Sequence, residues 1–322
     1  FYCYMRIPSL TGDYNDMYAE HGLEKVRLEI MTTGLGLSQY SVKNLVKEPP
    51  PRDWLVHKML ERNKPAILSS VGGVGKSMLA CDLALKTMTG RGDWFGHPIK
   101  RQGNVVLISA EDDKLELARR LNALDPEGRR YDTKYDTFAY TIPDAEKPLT
   151  LIKEDSSGLH LTAEAQELIA ELETIKDLEL VIIDPIQAVS SAPTNSNEAA
   201  QLYCQLAASI SSRMECVCLS IHHMSKTALT NGDDPIAARS AVRGASSFID
   251  GHRLAIACWL GDEKEAERIC TENGVEYERL RVVRAGVIKS NSSEVDTSIK
   301  TMFRRNAVLE PYVDEAFNFE RF

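Results

Sequence analysis

The strongest chemical signal in the chain is the run Ser70-Val71-Gly72-Gly73-Val74-Gly75-Lys76-Ser77. Glycines let backbone N–H groups curl around phosphate oxygens, and the positive end of a following helix favours the same anion. Lys76 would reach the outer phosphates, the Ser77 hydroxyl would bind Mg²⁺, and the backbone from Gly72 through Met78 would line the cradle. The run departs from G-x-x-x-x-G-K-[ST] at its first position, where Ser70 stands in place of glycine. That position calls for a tight turn, which Gly72-Gly73 can supply instead. A Gly-rich turn with a chance Lys-Ser pair is the plain alternative. The strand before the run and the helix after it favour a nucleoside triphosphate site.

Two carboxylates fit beside this cradle. Val181-Ile182-Ile183-Asp184 is an apolar run that ends in an acid. At the carboxyl end of a parallel strand next to the loop's own strand, Asp184 would hold Mg²⁺ through water; without the loop it would read as a cap or turn. Glu111 follows the apolar run NVVLIS. It could polarise the water that attacks a γ-phosphate. The run Glu111-Asp112-Asp113 also opens a helix, where capping and the dipole favour acids. Spacing leaves both readings of Glu111 open.

The elements that must position these groups alternate with the spacing of βα units. Strands are expected at Pro65–Ser70, Asn104–Ser109, 178–183 and 216–221, with helices at 76–88, 113–124 and 198–214 between them. A helix stops at Gly90, and Thr162 caps another that lines up Leu168, Ile169, Leu172 and Ile175. Residues 125–161 read as irregular, with one strand and a hairpin. Polar loops cover 190–197 and 225–238. The final hundred residues turn to strands at 253–259, 279–284 and 298–304, in an antiparallel tail. Apolar strands between helices imply an α/β fold, a mostly parallel sheet covered on both faces. Pro49-Pro50-Pro51 cannot continue a helix or central strand, so a stiff linker precedes this domain.

Composition narrows the class. The 322 residues carry 38 Lys plus Arg against 47 Asp plus Glu, a net charge of −9, which argues against a protein coated in nucleic acid but not against a few basic loops gripping a strand. No apolar run is long enough to cross a membrane, and the first twenty residues lack the order of a signal peptide. Seven cysteines, mostly in apolar stretches, read as reduced structural thiols of a cytoplasmic protein. Cys216 and Cys218 share a strand face, without a second pair to complete a zinc tetrad. The chain starts on Phe1, which reads as a piece of something longer.

Other phosphate-loop classes leave marks that this sequence lacks. Asn63-Lys64-Pro65-Ala66 is not a guanine-reading N-K-x-D, an L-S-G-G-Q signature is missing, and so is an Arg-rich lid. What remains is the RecA-like class. The ordered motifs GGVGKSMLA (72–80), ISAEDD (108–113), VIIDPIQAV (181–189), SIHHMSK (220–226), RGASSFIDGHR (243–253) and VIKSN (287–291) closely resemble the plasmid RepA-type hexameric replicative helicases over about residues 60–315.

That resemblance implies a RecA-like P-loop core with ATP and Mg²⁺ as cofactors, working as a homo-hexamer on single-stranded DNA. It makes Lys76 and Ser77 the phosphate and Mg²⁺ ligands, Glu111 the catalytic base and Asp184 the second Mg²⁺ partner. His223 becomes the sensor at the end of the fourth core strand, and Arg253 the arginine finger given to a neighbouring subunit's ATP. Arg243 and Lys289 are further interface candidates. Related rings often place a basic residue two positions after such a lysine, where this chain has Asn291. Loops 190–197 and 225–239 would face the channel, with Lys226 and Arg239 touching DNA phosphates. Gly12 to Asp16 and the following 17–30 resemble the tail of a TOPRIM primase domain. Residues 1–46 would then be that tail plus linker, and 47–322 the ATPase and helicase domain of a phage or mobile-element primase–helicase. The competing readings are a RecA-fold ATPase that forms filaments without unwinding, and a nucleotide-dependent assembly platform.

Overall fold

The computed structural model describes Ala19 and residues 41–193, 195–224, 247–306 and 308–313. The chain divides into two compact units, Phe1–Pro51 and Arg52–Phe322. In the first, Ser41 caps a single 3₁₀ turn, Val42–Asn44. The 12–16 turn, and the 17–30 helix apart from Ala19, lie outside the described residues.

The second unit is built on a nine-stranded sheet. In chain order its strands are β3 (Pro65–Ser70), β6 (Asn104–Ser109), β7 (Thr137–Thr141), β10 (Leu178–Asp184), β11 (Val217–His223), β12 (Leu254–Trp259), β13 (Val282–Ser290), β14 (Lys300–Arg305) and β15 (Val308–Pro311). The remaining strands form three small hairpins: β1 (Trp54–Val56) with β2 (Leu60–Glu61), β4 (Asp93–Trp94) with β5 (His97–Pro98), and β8 (Ile152–Asp155) with β9 (Gly158–Leu161). The sheet order is β15-β14-β13-β12-β3-β11-β10-β6-β7. From β12 to β7 every pairing is parallel, and from β12 to β15 every pairing is antiparallel.

One expectation needs correcting. The strand that ends in Asp184 does not lie beside the phosphate-loop strand, because β11 sits between β10 and β3. A sequence shows that a strand is buried on both faces, not its place in the sheet order. The chain returns through a long helix after β10 and sets β11 on one side of β3, and β12 later takes the other.

Alternation along the buried strands splits two cores between the faces. Ala66 and Leu68 of β3, Leu107 of β6, and Leu219 and Ile221 of β11 meet α1 (Lys76–Thr89) through Leu79, Ala80, Leu83 and Ala84. Ile67, Val106, Ile108, Val181 and Ile183 point the other way. They meet α4 (Asn197–Arg213) through Tyr203, Leu206, Ala207 and Ile210, joined by Ala165 and Leu172 of α3 (Ala163–Leu172). Helix ends follow local chemistry. Gly90 closes α1 at φ +66, and the Thr162 hydroxyl accepts the Ala165 N–H at 3.1 Å to start α3. Among the described residues the unit also contains α5 (Ser247–Gly251) before β12, and α6 (Glu263–Glu272), which sets Ala266, Ile269 and Cys270 against Val282 and Phe303.

Candidate functional site

Register puts the chemical groups on one edge of the sheet. Asp184 pairs with Ser109 across β10 and β6, and His223 pairs with Ser70 across β11 and β3. The carboxyl ends of four neighbouring parallel strands therefore converge, the place where open α/β sheets bind ligands.

Ser70, where glycine was expected, is the last residue of β3, buried in an extended strand, with its hydroxyl donating to the Val71 carbonyl at 2.9 Å. The turn comes later, at Gly73 (φ +83) and Gly75 (φ +94), backbone positions that strain any residue with a Cβ. Gly72 faces open space. Gly75 starts α1 in the left-handed region, and no side chain caps the helix, so its first-turn amides are left for another acceptor. Val74 is buried, while Ser77 and Met78 are half-buried on the first turn.

Lys76 is buried, its Nζ donating to the Ser70 carbonyl at 3.4 Å. Burial lowers its pKa, opposed by the charges of Asp184 and Glu111. Asp184 is also buried, and that desolvation pushes its pKa up to about 6, against a hydrogen bond from Ser77 and the pull of Lys76. A cationic lysine, a hydroxyl and an under-compensated carboxylate at a glycine-lined helix start suit an anion carrying a hard divalent cation. Oxygen ligands are what Mg²⁺ takes. Among the described residues no group of three or more His, Cys, Asp or Glu could hold a metal by itself.

The acidic run divides its work. Asp113 caps α2 (Lys114–Leu124), its Oδ1 accepting the Glu116 N–H at 2.7 Å, and Asp112 binds Arg120 at 2.8 Å. Glu111 belongs to neither arrangement. Its Oε1 lies 3.5 Å from Nε2 of His223, and its side chain is 58% exposed, open to a ligand. The two histidines point apart, as alternation requires. His222 is fully buried, bonded to Gln187 beyond Asp184 and tilted over Phe248, whereas His223 faces the cleft.

Arg253 lies at the opposite edge. Its amide bonds the Pro65 carbonyl at the start of β3, and its side chain is exposed beside a cavity of about 310 Å³ lined also by Lys64, Asn291 and Ser292. Five residue steps along β3, at about 3.3 Å each, separate it from the loop, roughly 17 Å. Lys289 is engaged in its own chain: its ammonium donates to the carbonyls of Ile249, Asp250 and His252 at the end of α5. Lys226, Arg239 and Arg243 lie outside the described residues, as does Thr194 of the 190–197 loop.

Sequence reasoning missed Arg304 of β14, whose Nη2 donates to the Val74 carbonyl at 2.6 Å. It also missed the buried chain Tyr203–Ser220–His252 behind Arg253, with both hydrogen bonds at 3.0 Å. Neither left a local signal, since the partners are 230 residues apart in the first case and 17 and 32 in the second. The cysteines met expectation: six described thiols are free and buried. No helix among the described residues is long and apolar enough to cross a membrane.

Comparison with known proteins places this geometry. A family model described as an AAA domain matches residues 32–228. Among solved structures, one described as an ATPase domain is similar at a TM-score of 0.50 and 11% sequence identity, over 77% of this chain and 84% of that one. The shared architecture is the RecA-like P-loop core.

Proposed function

The chain belongs to the AAA domain family, and from that premise we propose that it is an ATP-driven replicative helicase motor, a ring on single-stranded DNA that hydrolyses ATP between subunits. The observation that carries this reading is the split of the site across the sheet. Lys76, Ser77, Glu111, Asp184 and His223 share one edge, while Arg253 stands roughly 17 Å away with its guanidinium turned to solvent. An arginine side chain cannot span that gap in its own subunit, but it can serve the next subunit's nucleotide.

The amides from Gly72 to Met78 hold the phosphates, and Lys76 neutralises their outer oxygens. Ser77 and Asp184 are the groups that would hold Mg²⁺, which when bound neutralises charge on the phosphoryl oxygens. Glu111 takes the proton of the attacking water, and His223 holds Glu111 until a γ-phosphate competes for the imidazole. Arg253 from the neighbour stabilises the transferring phosphoryl, a contribution of roughly 10³–10⁵ in rate for such fingers. Arg243 would act at the same interface, and Lys289 supports it by anchoring α5 behind Arg253. Lys226 and Arg239 grip DNA phosphates. The homo-hexamer, and residues 1–46 as the tail of a primase domain, belong to the same reading.

Strand displacement on duplexes with 5′ or 3′ tails tests it. Wild type should separate one of the two substrates only with ATP and Mg²⁺, and Lys76→Ala neither. DNA-stimulated hydrolysis without displacement, with filaments in micrographs, would favour the non-unwinding alternative.

A further inference from the structure

The antiparallel extension reaches back to the phosphate loop. Arg304 of β14 donates from Nη2 to the Val74 carbonyl at 2.6 Å and from Nε to the Leu280 carbonyl at 3.4 Å. One guanidinium thus ties the loop to the turn before β13. Leu280 covers the same loop directly: a Cβ on Gly73 would stand 2.8 Å from its Cδ1, and one on Gly75 would stand 3.3 Å from both terminal nitrogens of Arg304. The two glycines that make the turn are those the extension covers.

This contact answers a geometric demand. For amides around Gly73 to Ser77 to converge on an anion, some intervening carbonyls must turn away from it. Val74 is buried, so its carbonyl needs a donor in place of water. Burial lowers the Arg304 pKa, yet a guanidinium keeps its charge in a protein, so the donor is charge-assisted.

We propose that Arg304, backed by Leu280, is a positioning residue that holds the phosphate loop in its receiving shape before nucleotide arrives. The C-terminal strands are then part of the nucleotide site as well as an edge of the sheet. The inference rests on the reading of residues 70–77 as that site. Its energetic form is pre-organisation: if loss of the brace leaves about a tenth of molecules competent, the apparent Kd rises about tenfold.

The test uses the whole 322-residue chain, a fluorescent ATP analogue with Mg²⁺, and steady-state hydrolysis, with Lys76→Ala as the reference for lost binding. Arg304→Ala should raise Kd and KM about tenfold, about 1.4 kcal/mol, and leave kcat at saturation within about twofold. Arg304→Lys should recover part of the affinity, since an ammonium still donates to Val74 but cannot fork. Leu280→Ala should shift Kd in the same direction by less. Wild-type affinity in Arg304→Ala overturns the proposal, as does a kcat loss at unchanged KM, which would put Arg304 on the reacting phosphates. If Arg304→Ala does not fold, unchanged affinity in both other variants overturns it equally. A wild-type chain that binds the analogue no better than Lys76→Ala overturns the nucleotide reading itself.

Discussion

Glu111 and His223 meet without the help of a helix cap, and that frees the carboxylate to act on a ligand. Glu111→Gln keeps the shape and removes the proton acceptor. It should therefore bind ATP like wild type and lose roughly 10²–10⁴ in turnover, the usual share of general-base catalysis; equal kcat in single-turnover assays would remove Glu111 from the chemistry. Behind Arg253, His252 is fully buried, and that burial drives its pKa from 6.5 down to about 4. The native state resists protonating this ring. Its contribution, roughly 3 kcal/mol from the size of the shift, is complete above the unfolded pKa and disappears as pH falls through 6.5 towards about 4. Buried Asp82 and Glu179 and half-buried Asp112 have pKa values raised by desolvation and run the opposite way. Urea midpoints of wild type against His252→Gln, taken at each pH, isolate the histidine. The variant should show the flatter acid limb, and parallel curves would exclude His252. At this scale the shape of the glycine-rich loop was legible because its residues are adjacent in sequence. Which of Glu111, Asp112 and Asp113 caps the helix was not, because three acids in a row look alike until the backbone assigns one of them to the cap.

Elements were legible where burial is uniform. Strands β3 and β6 match their expected ends, since each is an apolar run closed by polar or Gly-rich residues. Helix α6 gave no such signal: EKEAERICTE sets three apolar residues among charges, and its stability comes from the Asp262 cap and from Val282 and Phe303 in later strands. Strand β13 runs to Ser290 rather than 284 because its pairing with β12, not its own composition, carries it on. Helix α2 offers the test of position against stability. Asp113 caps it while Asp112 pins Arg120, so Glu111 is held at the mouth of a short, fixed segment. Asp113→Ala removes a cap that contributes about 1 kcal/mol and should lower Tm by roughly 2 °C. Because the first turn then frays beside Glu111, kcat should fall severalfold while ATP affinity stays. A stability loss with unchanged kcat would show that the Asp112–Arg120 pair alone fixes Glu111.

Across the whole molecule the decisive fact is that β12 runs parallel to β3, so Arg253, just before β12, stands at the end of the sheet opposite the phosphate loop. On the proposed reading, a single copy holds two halves of different sites. Head-to-tail contacts of this kind close into rings when the rotation allows. The arrangement makes a prediction that no cis mechanism shares. Lys76→Ala keeps its finger and loses its cradle, while Arg253→Ala keeps its cradle and loses its finger. Each should be nearly inactive alone. Mixed in equal amounts and allowed to exchange subunits, they should regain activity, because an Arg253→Ala cradle next to a Lys76→Ala finger rebuilds an intact seam. Random assembly makes about a quarter of all seams intact, so hydrolysis should recover to about that fraction of wild type if the seams fire independently, and to less if they fire in concert. Phosphate release measured across mixing ratios, with maximal recovery near equal proportions, reads this directly. An Arg253→Ala protein fully active by itself, or a mixture as inactive as its parts, would remove the shared seam and with it the reason for a ring.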